Sequence, residues 1–598
     1  MNSEIIKETA CLETCNQHRE IGALRNNIVE EADGQERGNE PYVDEQPSYF
    51  PPELVGHSPK NSNILYHYYL MELEQKFDYE IPVHDIVLVL RNKLEAELGS
   101  LHFDLDVGRG SLTVNLKYVG VINLSTDQVL LCRSFQKTLL RVLIHHDFKS
   151  LNERMDGDIL GAETDYLLLP ATGKHQRPEI IDWHCVNSVL FSCKKNGESH
   201  WNCSLPEGCA RIVQTKDGPV CTCLLQNSLV YTRHSDRVYC TMGILALNAN
   251  SRMQHRCGKI NTYKEYYEER HGIKLCFEHE SWVSAKPLFR VKKYLQRCRN
   301  QKKKESSMMS VELPPELCSI IMSPMSINTF YSFSFVPSIM HRLESLLIAA
   351  NLKKMHLDHC TQNDVIPISK VLEAITTKKC QETFDLESLE TLGDSFLKYA
   401  VSQQLFKTYQ DQPEGVLTSK KEKIISNAAL CKFGCHRKLP GFIRDESFDP
   451  KKWIIPGDRL GSALSEELLF NTRKIYIRET RKMEKSLAGA ILVDSGYNKE
   501  MVFGSIRPLL EPLMTPETPM SHPVKELTEL CQKEHYKLIE INKNRNDNEG
   551  RSSITVKVDA KGLTFEDTAT AANGKTARKL AYKKVLKSLK DFALHGNV

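Results

Sequence analysis

The fifteen residues from Leu386 to Ala400, LESLETLGDSFLKYA, constrain this chain more than any other stretch. Glu387, Glu390 and Asp394 stand at i, i+3 and i+7, so a helix brings all three to one face. Leu386, Leu389, Phe396 and Leu397 supply the apolar positions such a helix needs to pack. Gly393 lets a neighbouring helix come close, which puts Asp394 at a packed position. Crowded carboxylates repel by a few tenths of a kcal/mol per exposed pair. The spacing fits two readings: a solvated acidic face, or a site for a hard divalent cation such as Mg²⁺ (or Mn²⁺). In the second, the ion gathers oxygen ligands, orients a water and stabilises charge on a phosphate.

The chain is too long, at 598 residues, for a single core, and 41% apolar content supports several folded domains. A net charge of +3 excludes a uniformly basic, nucleic-acid-coating protein, so local charge matters more than the total. Nineteen cysteines spread over this length read as free thiols in a reducing compartment, nucleus or cytoplasm. The start, MNSEIIKETACLE, lacks a basic stretch followed by an apolar run, so no secretory signal is expected. No apolar run is long enough to span a bilayer, and no membrane partner is expected.

Along the chain, residues 1–30 read as a short amphipathic helix pair and 31–62, with Pro51-Pro52, as a linker. Strands such as LTVNLKYVGVI and helices such as HDIVLVLRNKLEAEL alternate from about Asn63 to Leu151. Residues 180–290 hold β-rich runs (CVNSVLFSC, GPVCTCLLQNSLVYT, DRVYCTMGIL) and one aromatic helix, TYKEYYEERHGI. Cys193, Cys203, Cys209, Cys221 and Cys223 crowd this region beside His184 and His200, at spacings that match no zinc finger or ribbon. A basic run, RVKKYLQRCRNQKKK, leads into a mostly helical stretch over 320–510, where MHRLESLLIAANL shows helical periodicity. After the linker EPLMTPETPMSH, residues 523–592 follow a helix, three strands, helix order. In the last helix Lys575, Lys579, Lys583 and Lys587 form one stripe, with Ala577, Ala581, Val585 and Leu589 on another face. Such a basic stripe fits either a solvated surface or a phosphate-binding one.

The string Glu387-x-x-Glu390-x-Leu-Gly-Asp394 resembles the signature of ribonuclease III, and the chain as a whole is similar to the C-terminal part of plant Dicer-like endoribonucleases. PPELCSIIMSPMSINTFYSFSFVPSIMHRLESLLIA, SKKEKIISNAAL and HRKLPGFIR carry the resemblance around the nuclease region, and TYKEYYEERHGIKL resembles the core helix of PAZ domains. The resemblance implies a multi-domain α+β fold. Its parts are the tail of a dimerisation domain (1–30), a platform-like domain (63–160) and a PAZ domain built as a small β-barrel with helices (175–300). An all-α ribonuclease III domain (320–512) and an α-β-β-β-α double-stranded-RNA-binding domain (522–592) follow. No counterpart of the family's helicase is expected. Glu390 and Asp394 match the family's metal pair, with Glu387 beside them as catalytic residues. Tyr266 and His271 match the grip on an RNA 3′ end, whereas Tyr267 reads as a core aromatic. Lys575, Arg578 and Lys579 are expected on phosphates, and Thr528 and Glu529 in the minor groove. The implied partners are double-stranded RNA and small RNA duplexes, with a homodimer through the ribonuclease III domain and a double-stranded-RNA-binding partner protein also compatible with it.

One departure stands out. The family places a second acidic pair four and seven residues before a Gly-Ala step. Here that step is Gly489-Ala490, and the positions hold Lys485 and Lys482, with Glu484 about 100° out of register. RKIYIRETRKM resembles the first of the family's two ribonuclease III domains, and SLAGAILVDSGYNKEMVFGSIRPLLEPL the end of the second. A junction near Met483–Lys485 and one composite domain are therefore expected. Two functions follow: a Mg²⁺-dependent endonuclease that cuts double-stranded RNA into small RNAs for silencing, or a catalytically impaired RNA-binding form.

Overall fold

Five consecutive apolar residues, Ile86–Leu90, are all buried and form an inner strand. The helix expected for HDIVLVLRNKLEAEL therefore gives way to a strand in its first half. A run rich in branched apolar side chains, buried on both faces, suits the middle of a sheet. It lies between Ile64–Lys76 and Leu167–Pro170 in an antiparallel sheet that continues through Ser111–Leu124 to His102–Asp106. The computed structural model describes residues 46–55, 64–95, 98, 101–108, 110–145, 166–172, 180–189, 212–254, 260–287, 289, 291–296, 309–357, 366–457, 472–473, 477–500, 502–504, 523–543, 552–560, 562–571 and 574–595. They fall into two units, 1–511 and 512–598. The helix pair expected over 1–30 lies outside the described residues.

The first sheet uses Leu167–Pro170, beyond the end at 160 read from the sequence. The expected linker is ordered in part: Tyr49 stacks on Phe442 at 4.3 Å, and Leu54 is buried. CVNSV, read as a strand, instead forms the helix Trp183–Val186 and the turn Asn187–Val189. Asp182 caps it by accepting from the Cys185 amide at 3.0 Å, an N-terminal signal that composition hides.

A second antiparallel sheet runs Val311–Leu313, Val283–Pro287, Arg237–Ile244, Leu229–Thr232, Cys318–Met322. Its outer strands come from beyond residue 300, so this PAZ-type sheet draws on the stretch read as the approach to the nuclease domain. The aromatic helix Tyr263–His271 begins with a capping box between Thr262 and Glu265 and ends at Gly272, whose φ of 65° suits a left-handed cap.

The stretch from 336 to 494 is mostly helical: Val336–His356, Ile368–Ile375, Glu387–Thr408, Glu414–Ile425, Asn427–His436 and Ile477–Asp494. A buried ion triad ties three of its segments together. Glu382 meets Arg342 at 2.8 Å and Arg444 at 2.5 Å. Burial alone would raise the Glu382 carboxyl, but the two guanidiniums outweigh it and hold the group below its ordinary range.

The second unit has the expected order: helix Pro523–Lys533, antiparallel strands Lys537–Lys543, Ser552–Ala560 and Leu563–Ala571, then helix Gly574–His595. Ala577, Ala581, Val585 and Leu589 are buried against Val556, Val558 and Leu527, while Lys575, Lys579, Lys583 and Lys587 are exposed. Among the described residues, no helix is long and apolar enough to cross a membrane.

Candidate functional site

Two glycines set the geometry. A Cβ added at Gly393 would lie 1.7 Å from the Lys485 carbonyl oxygen, and one at Gly489 would lie 2.2 Å from that of Leu389. The helices Glu387–Thr408 and Ile477–Asp494 thus cross with their backbones in contact, which no larger residue allows. The crossing faces Glu390 and Asp394 toward positions 482 and 485.

What meets them there is cationic. Lys482 Nζ lies 3.4 Å from Glu390 Oε2, and Lys485 Nζ lies 2.8 Å from Asp394 Oδ1. Lys398 reaches the other oxygen of Asp394 at 2.5 Å, a contact that the spacing of acidic residues gave no cause to look for. Lys485 also donates to Asn427 Oδ1 at 3.3 Å. Burial would raise the Asp394 carboxyl, but hydrogen bonds and charge from the two lysines outweigh it and hold the group below its ordinary range. Glu387 does not join this cluster: it is exposed and lies 3.7 Å from Lys378. Glu484, one residue off register, turns away into the core beside Gly434 and Thr480.

The implied divalent ion can be tested against these residues. Glu390 and Asp394 carry two negative charges, and Lys398, Lys482 and Lys485 carry three positive ones, a balance of +1. A hard cation needs an excess of anionic oxygen. Among the described residues, no group of three or more His, Cys, Asp or Glu could hold a metal. The residues present do not fit the ion. Of the crowded cysteines, Cys193, Cys203 and Cys209 lie outside the described residues.

In the second sheet's domain, Tyr266 and His271 come together with ring centroids 5.8 Å apart. Tyr267 is buried against Trp282, as a core residue. His234 also joins, 5.2 Å from His271 and 5.5 Å from Tyr267. It comes from the turn between the strands ending at Thr232 and starting at Arg237, and only the register of that hairpin reveals it. Burial, then the neighbouring His271, pushes the His234 imidazole below its ordinary pKa. Arg270 lies over the Tyr266 ring at 5.6 Å. The cluster offers a ring face, a hydroxyl and imidazoles at one place, groups suited to a sugar and phosphate.

In the second unit Lys575 and Lys579 are exposed at the start of the last helix. Arg578 is held at 2.8 Å by Glu540 and lies over the Tyr582 ring. In the first helix Thr528 donates its hydroxyl to the Val524 carbonyl, and Glu529 is exposed.

Comparison with known proteins accords with these parts. The ribonuclease III domain family matches residues 387–496 and the PAZ domain family residues 204–345. The chain is 35% identical over 790 residues to "Endoribonuclease Dicer homolog 2" of Arabidopsis thaliana, covering 99% of this chain. The chain is Dicer-like along nearly its whole length. A second Dicer relative, "Endoribonuclease Dicer homolog 2b" of Oryza sativa subsp. japonica, is 39% identical over 519 residues and 82% of this chain. The chain spans 56% of the length of the first relative and 36% of the second. Dicer from Giardia intestinalis is a structural neighbour at 17% identity and a TM-score of 0.39, covering 79% of this chain and 61% of that one. The Arabidopsis alignment also carries a size: 99% of 598 residues is about 592, about 198 fewer than the 790 aligned, so that many positions of the Dicer relative have no counterpart here.

Proposed function

We propose that this chain works in double-stranded-RNA processing, as a Dicer-like endoribonuclease that grips an RNA end and a duplex and yields small RNAs for silencing. The observation that carries the reading is the glycine crossing, which sets Glu390 and Asp394 against positions 482 and 485. The Tyr266 and His271 cluster supports capture of a 3′ end. The lysine stripe headed by Lys575 and Lys579 supports binding to duplex phosphates, selective for shape and sensitive to salt. The ion that ribonuclease III chemistry of this kind would draw on is Mg²⁺ or Mn²⁺. Nucleus and cytoplasm are the compartments where such RNA is met. With one ribonuclease III unit, cutting both strands calls for two copies of the chain, and a double-stranded-RNA-binding protein is a natural partner.

A second reading rests on Lys482 and Lys485. With ammonium groups at these positions, the chain on its own cuts slowly, by roughly 10³-fold or more, and acts chiefly by binding RNA. A junction close to Met483–Lys485 is our proposed origin of these lysines; the roughly 198 unmatched positions give the size of what is missing, not its place. The test is incubation of the purified chain with long double-stranded RNA and Mg²⁺. Short duplexes with 3′ overhangs, lost in Asp394→Asn, support the endonuclease. Retained binding without product supports the second reading.

A further inference from the structure

We infer that Lys482 and Lys485 are built-in counter-ions that occupy the place of a divalent cation, so that the ribonuclease III groove of this chain turns such ions away. This deepens the second reading above and rests on the same site.

The lysines are held rather than merely near. Their side chains are only 14% and 12% exposed, so their long stems are packed and their ammonium groups have little freedom to swing out. The backbone at Lys485 is seated directly on the neighbouring helix, its carbonyl oxygen 1.7 Å from where a Gly393 Cβ would be. Asn427, from a third helix, accepts from the same ammonium and fixes its direction. A free ion must therefore compete with two tethered cations, and tethering gives a group an effective concentration at or above the millimolar range. It must also enter a cluster whose charge is already +1, so the Coulomb term opposes entry.

The scaffold beneath is intact. The glycine crossing, the two carboxylates and the direction of positions 482 and 485 are all present, so two side chains alone separate this groove from a cation site. Acidic residues there would face Glu390 and Asp394 across the crossing and turn the charge of the cluster from +1 to −3.

The experiment measures Mn²⁺ binding by electron paramagnetic resonance and by thermal shift, using the full chain, Lys482→Asp/Lys485→Glu and Asp394→Asn. The unaltered chain is expected to leave Mn²⁺ free at this site and to keep its melting temperature. The charge-reversed chain is expected to bind Mn²⁺ and gain several degrees when Mn²⁺ is about a hundredfold above its Kd. Should the double variant fail to fold without metal, Lys482→Gln/Lys485→Gln removes the counter-ions without adding repulsion, and it too should take up Mn²⁺. Binding by the unaltered chain that disappears in Asp394→Asn overturns the inference, as does a folded double variant that binds none. A gel-shift with duplex RNA in EDTA reads the RNA-binding function separately, since the Tyr266 cluster and the lysine stripe need no ion.

Discussion

Replacing Glu484 by glutamine probes how the helix Ile477–Asp494 is packed, and the structure sets the direction of the effect. Glu484 is 5% exposed, and neither carboxyl oxygen has a hydrogen-bond partner among the described residues. It faces Gly434 and Thr480, with Cys431 and Arg437 as its charged or titratable neighbours and Cys435 close by on the same helix. Burial, then Cys431, pushes its pKa well above 4.5, while Arg437 pulls weakly the other way. The folded chain therefore holds this proton more tightly than the unfolded chain. The resulting stability is complete below the unfolded value and drains away as pH rises toward the folded one. The loss is about 1.4 kcal/mol per pH unit within that window. A neutral carboxyl without partners also costs about 1–3 kcal/mol. Urea unfolding of the first unit, followed as pH rises above the unfolded carboxyl value, should show stability falling more steeply in the unaltered chain than in Glu484→Gln. Glu484→Leu should be flatter as well, and more stable at the higher pH. Parallel slopes in all three would refute the assignment of a buried, protonated carboxyl.

Further outcomes follow from other contacts. Gly393→Ala would drive a methyl group into the Lys485 carbonyl and should cost about 3 kcal/mol or more, read as a lowered melting temperature or loss of soluble chain. Glu382→Ala strands two buried guanidiniums and should cost about 3–5 kcal/mol in unfolding free energy, whereas an exposed pair such as Lys354 with Glu95 should cost under about 1 kcal/mol. Tyr266→Ala should weaken binding of an overhanging RNA end by about 1–3 kcal/mol in a titration without changing the fold, while Tyr267→Ala should unfold its domain. Lys579→Ala should weaken duplex binding evenly across sequences and reduce the slope of log affinity against log salt by about 1.

Much of the site could be read from the chain because local spacing determined it. The carboxylate face and the close approach at Gly393 follow from helical periodicity, which operates over a few residues, whereas Lys482 and Lys485 stand out through the family resemblance, counted back from Gly489-Ala490. The last helix was legible for the same reason, with its alanine face and lysine face at fixed intervals. Features set by distant partners were not legible. Ile86–Leu90 reads as helix until its two neighbouring strands, drawn from 64–76 and 167–170, bury both faces. His234 joins Tyr267 and His271 only through hairpin register. Glu387 shares a helix face with Glu390, yet it lies exposed beside Lys378 of the preceding turn, a neighbour that spacing alone does not reveal. Lys398 reaches back one turn to Asp394, a pairing that any acid and base at that spacing permit and that only the fold selects.

The contact between Gly393 and Gly489 has a consequence for how this domain endures change. Main chain meets main chain there, and main chain is the same in every protein. The joint asks almost nothing of the side chains around it, so segments of different ancestry can be welded across it and still dock. Architecture and chemistry are thereby uncoupled: a helix can keep its seat while exchanging the residues it presents.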